Sequence, residues 1–542
     1  MGEIKNIPIQ SESEIEPAFD ILDMNNYRVE KLKKNKKVGF ERWMEILGGP
    51  LAILVFILIY YFVRIPFLEG INPDILKDDA AKRLKDLGSE GFSRINYAML
   101  AIFAASIVLW ITESIPNYLT SLLVIITMVL TGVTSEKVAY AQLGHPVMWL
   151  NILSFVLASM LVATSVAKRF ALWFVIKFGK NSTWIFFSFI VINVVLSVFI
   201  SATTAKATIL LPIFMVIAAI YGARPDSRNN FGRNIVLQNL FQINIGASGF
   251  ITGSGANLLA GSLIAGSMGM SFFGFQDWFI AAFPLAMILI LIGWFVGTKL
   301  IFPMKPEERV PQIEGGMERL KKEYNALGKM KVSEFKSIAI FVIVLLLWAT
   351  DKQHGISQTA VAFMGAVVAL LPGIGVVKWN DVDIPWHLML FSAGAYTLGA
   401  GLEATDLPAS MVDALFSFFG ITAQTPFWVL YFGLTFIMIF SGIIFQSKTM
   451  RALIFVPIAI GVAQKFNYPI MSLSFPVALL IEHVYVLPFN SKPAALLYTT
   501  NHYSMSDSFK YGFSMMVISW FMILVWGETV LKWLGYTEGL FY

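Results

Sequence analysis

From Ile46 to about residue 535 the chain is a succession of apolar stretches. They fall near 46–68, 97–115, 117–134, 147–178, 184–221, 234–270, 275–303, 337–350, 356–377, 386–420, 425–465, 468–500 and 511–535. About 20 apolar residues suffice to cross a bilayer core as a helix, so the pattern predicts an all-α polytopic membrane protein. Composition agrees: 57% of the 542 residues are hydrophobic and only 14% charged, against roughly 25% charged in soluble domains. The absence of cysteine excludes a disulfide scaffold and thiolate metal sites. The glycines between Gly246 and Gly269 lack the order of a phosphate loop and follow no strand, so nucleotide binding is not expected. No nucleic-acid partner is expected either; the expected surroundings are the lipid bilayer.

Charge placement sets the expected orientation. Residues 1–45 are polar and end near the basic run from Lys31 to Lys37, and no cleavable signal peptide is visible. Under the positive-inside rule this run marks a cytoplasmic N-terminus in an inner (cytoplasmic) membrane. The loop with Lys168, Arg169, Lys177 and Lys180 is then cytoplasmic, as are those with Arg224, Arg228 and Arg233 and from Lys305 to Lys336. These assignments hold together if 184–221 and 425–465 are re-entrant hairpins, which leaves about eleven transmembrane helices. The expected organisation is a tail over 1–45, a first half over 46–303 and a linker over 304–336, followed by a second half over 337–542.

The two halves echo each other. Trp149 opens an apolar stretch as Trp386 does, and Ser201-Ala202-Thr203 with Leu211-Pro212-Ile213 matches Ser447-Lys448-Thr449 with Val456-Pro457-Ile458. The small-residue break from Gly253 to Asn257 matches the one from Asn490 to Ala494. Interrupted apolar segments at matching places in two halves mark a binding site between inverted repeats. The polar clusters Ser201-Ala202-Thr203-Thr204 and Gln446-Ser447-Lys448-Thr449 fall in mid-segment, where non-helical backbone survives only against protein or a water-filled cavity.

At these residues the chain resembles the divalent anion:sodium symporter family, carriers of dicarboxylates, citrate and sulfate. Thr112-Glu113-Ser114-Ile115-Pro116, Leu327-Gly328-Lys329-Met330, the stretch from Phe391 to Leu407 and that from Tyr498 to Gly512 carry the likeness, which runs from about Tyr97 onward. The resemblance implies an elevator-type homodimer that transports a small-molecule dianion. It also implies that the hairpin tips and the breaks together hold sodium and the substrate carboxylates. The substrate residues it points to are Ser201, Ala202 and Thr203 at one tip and Ser447, Lys448, Thr449 and Arg451 at the other. From the breaks come Asn257, Ser491, Lys492 and Pro493.

Two departures from the family pattern bear on coupling. Ala202 and Lys448 replace the tip amides, and Ile443 offers no side-chain oxygen one turn before the second tip. The second sodium site is expected to be lost, its charge supplied by the Lys448 ammonium. One sodium ion on Ser197, Ser201 and the backbone near Gly253 is the only cofactor left open. Lys206, Lys448, Arg451 and Lys492 cluster around the proposed cavity, each at roughly 2.5–3.5 kcal/mol if placed at a helix centre. Expected compensation is an anionic substrate, Glu482 or cavity water, with Lys206 the cation best placed to snorkel to an interface. Glu482-His483 reads either as a counter-charge or as a proton relay; His145, His354, His387 and His502 carry no metal spacing. The leading expectation is di- or tricarboxylate exchange with little sodium dependence. A sodium- or proton-coupled symporter of dicarboxylate or sulfate is the alternative. A lipid-modifying enzyme lacks a nucleophile beside Glu482, and an anion channel would show unitary currents.

Overall fold

The computed structural model describes residues 22–27, 40–69, 71, 76, 78–179, 181–225, 228–405, 407–408, 410–411, 422, 424–445 and 447–541. The basic run 31–37 and Gln446 lie outside them. Every regular element among the described residues is helical. The first group is α1 (Phe40–Ile57), α2 (Asp78–Thr112), α3 (Asn117–Leu130), α4 (Pro146–Ala163) and α5 (Val166–Phe178). Then come α6 (Ser182–Phe199), α7 (Thr203–Ile220), α8 (Asn230–Ser248), α9 (Gly255–Ser267) and α10 (Phe275–Phe295). The middle holds α11 (Gly316–Ala326), α12 (Val332–Ala349), α13 (Gln358–Leu370) and α14 (Trp386–Thr405). The last are α15 (Phe427–Ser441), α16 (Lys448–Lys465), α17 (Ile470–Leu479), α18 (Lys492–Tyr498) and α19 (Met505–Glu528).

Among the described residues seven helices are long and apolar enough to cross a membrane, and several shorter ones are apolar as well. Local sequence explains their ends. Asn181 and Asn229 cap α6 and α8 by accepting from Trp184 and Gly232 amides at 3.1 and 2.7 Å. Ser504 and Asp507 form a reciprocal capping box at the start of α19.

The sequence repeat is a structural repeat of elements. Helix pairs α6–α7 and α15–α16 each fold back across a short non-helical turn, and interrupted helices α8–α9 and α17–α18 follow them. The second arms, α7 and α16, are both 18 residues long, with Pro212 and Pro457 at the same position in each. Packing crosses between the halves: α9 lies against α16, and α18 against α7. A second group packs beside them, with α14 on α2 and α3, α1 on α2, and α13 on α4 and α12, and it meets the first where α14 touches α16 and α4 touches α9. Small residues permit the close approach in that group. A Cβ on Gly394 of α14 would lie 2.2 Å from Ser121 of α3, and Ser121 donates to the Phe391 carbonyl at 3.1 Å.

One buried ion pair ties the linker region to the first half. The Arg169 guanidinium on α5 donates to both Glu334 oxygens on α12, at 2.8 and 3.0 Å, and to the Gly328 and Leu327 carbonyls. Both side chains are nearly inaccessible. Truncating one partner strands the other's charge, which costs about 3–5 kcal/mol. Arg169→Met should therefore lower the thermal stability of the purified protein strongly, and Arg169→Met with Glu334→Gln should recover a large part of the loss. Unfolding followed by intrinsic fluorescence in detergent checks both; equal melting temperatures for wild type and the single variant would contradict the assignment.

Candidate functional site

Four helices begin inside the molecule at one place. Ala202, Ser254, Ser447 and Ser491 precede α7, α9, α16 and α18, and all four line a cavity of about 1630 Å³. Three of these positions are serines whose hydroxyls accept from the third residue beyond: Asn257, Met450 and Ala494. Ala202 makes no such cap. First-turn amides not used by the helix, together with the positive end of each dipole, make such starts attractive to anions.

The breaks are held open by close backbone approaches. A Cβ on Gly442 would sit 2.0 Å from the His483 carbonyl, so the second hairpin and second break fit only with glycine there. Asn490 clips the same two segments, accepting from the Leu487 amide at 2.7 Å and donating to the Ile443 carbonyl at 2.9 Å. In the first break, Asn257 donates to the Ala247 and Phe250 carbonyls, each at 3.0 Å.

The cations are distributed unequally. The Lys448 ammonium borders the cavity, donating to a Glu482 oxygen and, at 3.4 Å, to the Thr203 hydroxyl. The other Glu482 oxygen accepts from the Ser254 hydroxyl. One buried carboxylate thus joins the second tip to the start of α9 in the first break. Lys492, the first residue of α18, is exposed to the cavity. Lys206 reaches no interface: it is fully buried, donating to the Ser197 hydroxyl at 3.0 Å and the Ile243 carbonyl at 3.2 Å.

Arg451 is placed away from the cavity. Its fully buried guanidinium donates to the Ser441 hydroxyl at 3.1 Å and to the carbonyls of Met438, Leu480, Ile481 and His483. These partners belong to the end of α15 and to the second break, so the side chain fastens those segments together. The expectation that Arg451 shares substrate with Lys448 is not met by this geometry, because its donors point at backbone oxygens.

Of the residues expected from sequence, Ser201, Ala202, Thr203, Ser447, Lys448, Thr449, Ser491, Lys492 and Pro493 line the cavity. Asn257, Arg451, Ser197 and Gly253 are buried behind it. The Ser197 hydroxyl, expected to help hold sodium, accepts a hydrogen bond from an ammonium. Glu482 serves as the counter-charge of Lys448, while His483 turns its Nδ1 to the Leu480 carbonyl at 3.2 Å. Cavity residues missed from sequence include Asn151 and Glu113. Asn151 stands as a lone amide between Leu150 and Ile152, a signal that polarity within an apolar run provides.

The family pattern described as "Sodium:sulfate symporter transmembrane region" matches residues 88–537. A protein of Cupriavidus necator described as "Membrane protein" is 26% identical over 470 residues, covering 82% of this chain and 89% of its own. The sodium-dependent dicarboxylate transporter SdcS of Staphylococcus saprophyticus is 23% identical over 515 residues, covering 91% of this chain and 92% of that protein. Among solved structures, the Alcanivorax borkumensis YdaH transporter aligns over 92% of this chain and 98% of that one, at 13% identity and a TM-score of 0.46.

The position of Arg451 predicts a structural phenotype. Arg451→Lys loses the planar fork and leaves buried carbonyls unsatisfied, at about 1–3 kcal/mol for each group left without a partner. The variant should melt well below wild type in detergent, and a wild-type melting temperature would contradict this role.

Proposed function

This chain belongs to the sodium:sulfate symporter transmembrane family, and from that premise we propose that it exchanges small dianions, di- or tricarboxylates in particular, with little dependence on sodium. It is a multi-pass membrane transporter and not an enzyme. The observation that carries the finer reading is the pair of lysine ammonium groups at the hairpins. Ser197, where the family resemblance implies a first sodium ion, already accepts from Lys206. Lys448 stands where the resembling family has a tip amide, and it borders the cavity. Two unit charges 4 Å apart repel by about 4 kcal/mol at an effective dielectric of 20, so sodium does not fit beside either ammonium.

The charge count supports a divalent cargo. Lys206, Lys448, Arg451 and the cavity-facing Lys492 stand with Glu482 as the buried carboxylate that Lys448 contacts, so positive charge is in excess around the site. A bound dianion offsets that excess; an empty site leaves it exposed to an apolar surround. Substrate would sit among the tips and breaks, between Ser201, Thr203, Ser447, Thr449, Ser491 and the Lys492 ammonium. Pro493 and the backbone of Ala202 shape that wall, with Asn257 bracing the first break behind it.

The same reading includes the topology drawn from the basic residues: inner membrane, cytoplasmic N-terminal tail over 1–45, and eleven spans with two re-entrant hairpins. Halves over 46–303 and 337–542, joined by the 304–336 linker, would form a homodimer that moves by an elevator mechanism. The crossed packing of α9 on α16 and α18 on α7 supports one compact carrying unit built from both halves. A second reading, sodium-coupled symport of dicarboxylate or sulfate, is favoured by the SdcS relatives, which are described as sodium-dependent.

Proteoliposomes tested with succinate, malate, tartrate, citrate and sulfate should show saturable counterflow for at least one of them. Replacing sodium by choline should change its rate less than twofold. Absence of counterflow for every member of the panel would remove the assignment, and a tenfold drop in choline, about 1.4 kcal/mol of coupling, would favour the symport reading. Lys492→Ala removes the cavity-facing point charge and should weaken substrate binding at least tenfold while the protein still elutes as a folded species. Wild-type affinity in that variant would take Lys492 out of the site.

A further inference from the structure

Of the residues before α1, the structure describes 22–27, and they are packed into the molecule rather than laid on its surface. Met24–Tyr27 forms a single turn of 3₁₀ helix against α7, the second arm of the first hairpin. Met24 is only 6% exposed and joins the hydrophobic core, with Leu22 and Tyr27 partly buried against it. Residues 28–39 then lead to α1, which packs on α2 in the other group of helices. The segment therefore starts on one packing group and is covalently tied to the other.

Met24 closes one side of a gap of about 260 Å³. Val162, Ser165 and Lys168 form its wall from the α4–α5 turn, and Ile209 and Pro212 form its wall from α7. Val162 and Ile209 also line the large cavity, so the gap adjoins the site across two side chains. The α4–α5 wall is pinned. Lys168 pairs with Glu323 of α11 at 3.3 Å, and the neighbouring Arg169 grips Glu334 of α12. The opposite wall is the hairpin arm, which carries Thr203 at its start and packs on α18. A site between inverted repeats faces the two sides of a membrane in turn only if one packing unit shifts against the other. A methionine wedged between the arm and the pinned turn opposes such a shift, because its unbranched thioether chain fills an irregular gap closely.

We propose that the groove between the α4–α5 turn and α7 is a docking surface for the chain's own residues 22–27, which act there as a wedge. Seated, the segment holds the first hairpin against the pinned turn in the arrangement described above. Each crossing of the carrying unit lifts Met24 out of the gap, so the tail slows exchange. This rests on the elevator reading above and adds the contact that sets its rate.

Two measurements test it, and the first does not need transport. The chain has no cysteine, so Met24→Cys carries a single thiol. In purified protein its reaction with a polar maleimide should be at least tenfold slower than that of Lys321→Cys, an exposed position on α11. Equal rates would mean an unseated segment and overturn the proposal. The second measurement is counterflow of labelled succinate in proteoliposomes, or of labelled sulfate where that is the ion exchanged. Met24→Lys puts a second ammonium in the gap beside Lys168 and should raise the counterflow rate at least threefold. Met24→Leu keeps an apolar side chain of similar volume and should match wild type. A Met24→Lys rate at or below wild type, in protein that elutes as wild type does, overturns the wedge. Failure of wild type to exchange any dianion would instead sink the functional reading, and thiol protection would still decide whether the groove is occupied.

Discussion

Backbone amides and carbonyls surrounded by apolar material must be paired, and that requirement decides where this chain is allowed to be irregular. Four helices start at the cavity, behind Ala202, Ser254, Ser447 and Ser491. Elsewhere in a bilayer such starts would leave amides without partners. Here three are capped by serine hydroxyls and the remainder face a volume large enough for water and solute. The feature that makes the breaks tolerable is also what makes them useful, because each start presents the positive end of a helix dipole to whatever enters.

Charge is arranged on top of this scaffold by three different solutions to one problem. Lys448 is neutralised by Glu482, which reaches Ser254 in the other half of the molecule. Lys206 is satisfied by neutral oxygens from α6 and α8, and Arg451 by a hydroxyl and a set of carbonyls. Lys492 is left facing the cavity. A buried cation bonded to neutral oxygens keeps its field, so Lys206 and Arg451 add positive potential from behind the cavity, whereas Lys492 adds it from the wall.

Sequence made the frame legible and the orientations of side chains less so. The repeat could be found because glycine, serine and proline punctuate apolar runs at matched distances, and Pro212 and Pro457 do occupy equivalent places in equal-length arms. The cavity wall from Ser201 to Thr203 and from Ser447 to Thr449 was legible for the same reason. Arg451 was misjudged because spacing alone puts it one turn from Lys448; it cannot reveal that the second break folds its carbonyls back across that turn. Lys206 was allowed to snorkel because its depth depends on α8 standing beside it, a tertiary fact. Glu113 was visible only as part of a motif, since nothing in the motif announces a left-handed turn or a place on the cavity wall.

The two hairpins differ in how they are fastened. Arg451 holds α15 and the second break with a flat, five-donor fork, and Gly442 lets the two backbones touch with no side chain between them. Lys206 holds the first hairpin to α8 through a rotatable ammonium, beside an amide clip in which Asn193 of α6 donates to Asn239 at 2.8 Å and Gln242 at 3.0 Å. Two halves built to the same plan are thus fastened by different chemistry, a charged fork in one and an ammonium with an amide clip in the other, so a substitution at one joint has no counterpart in its twin.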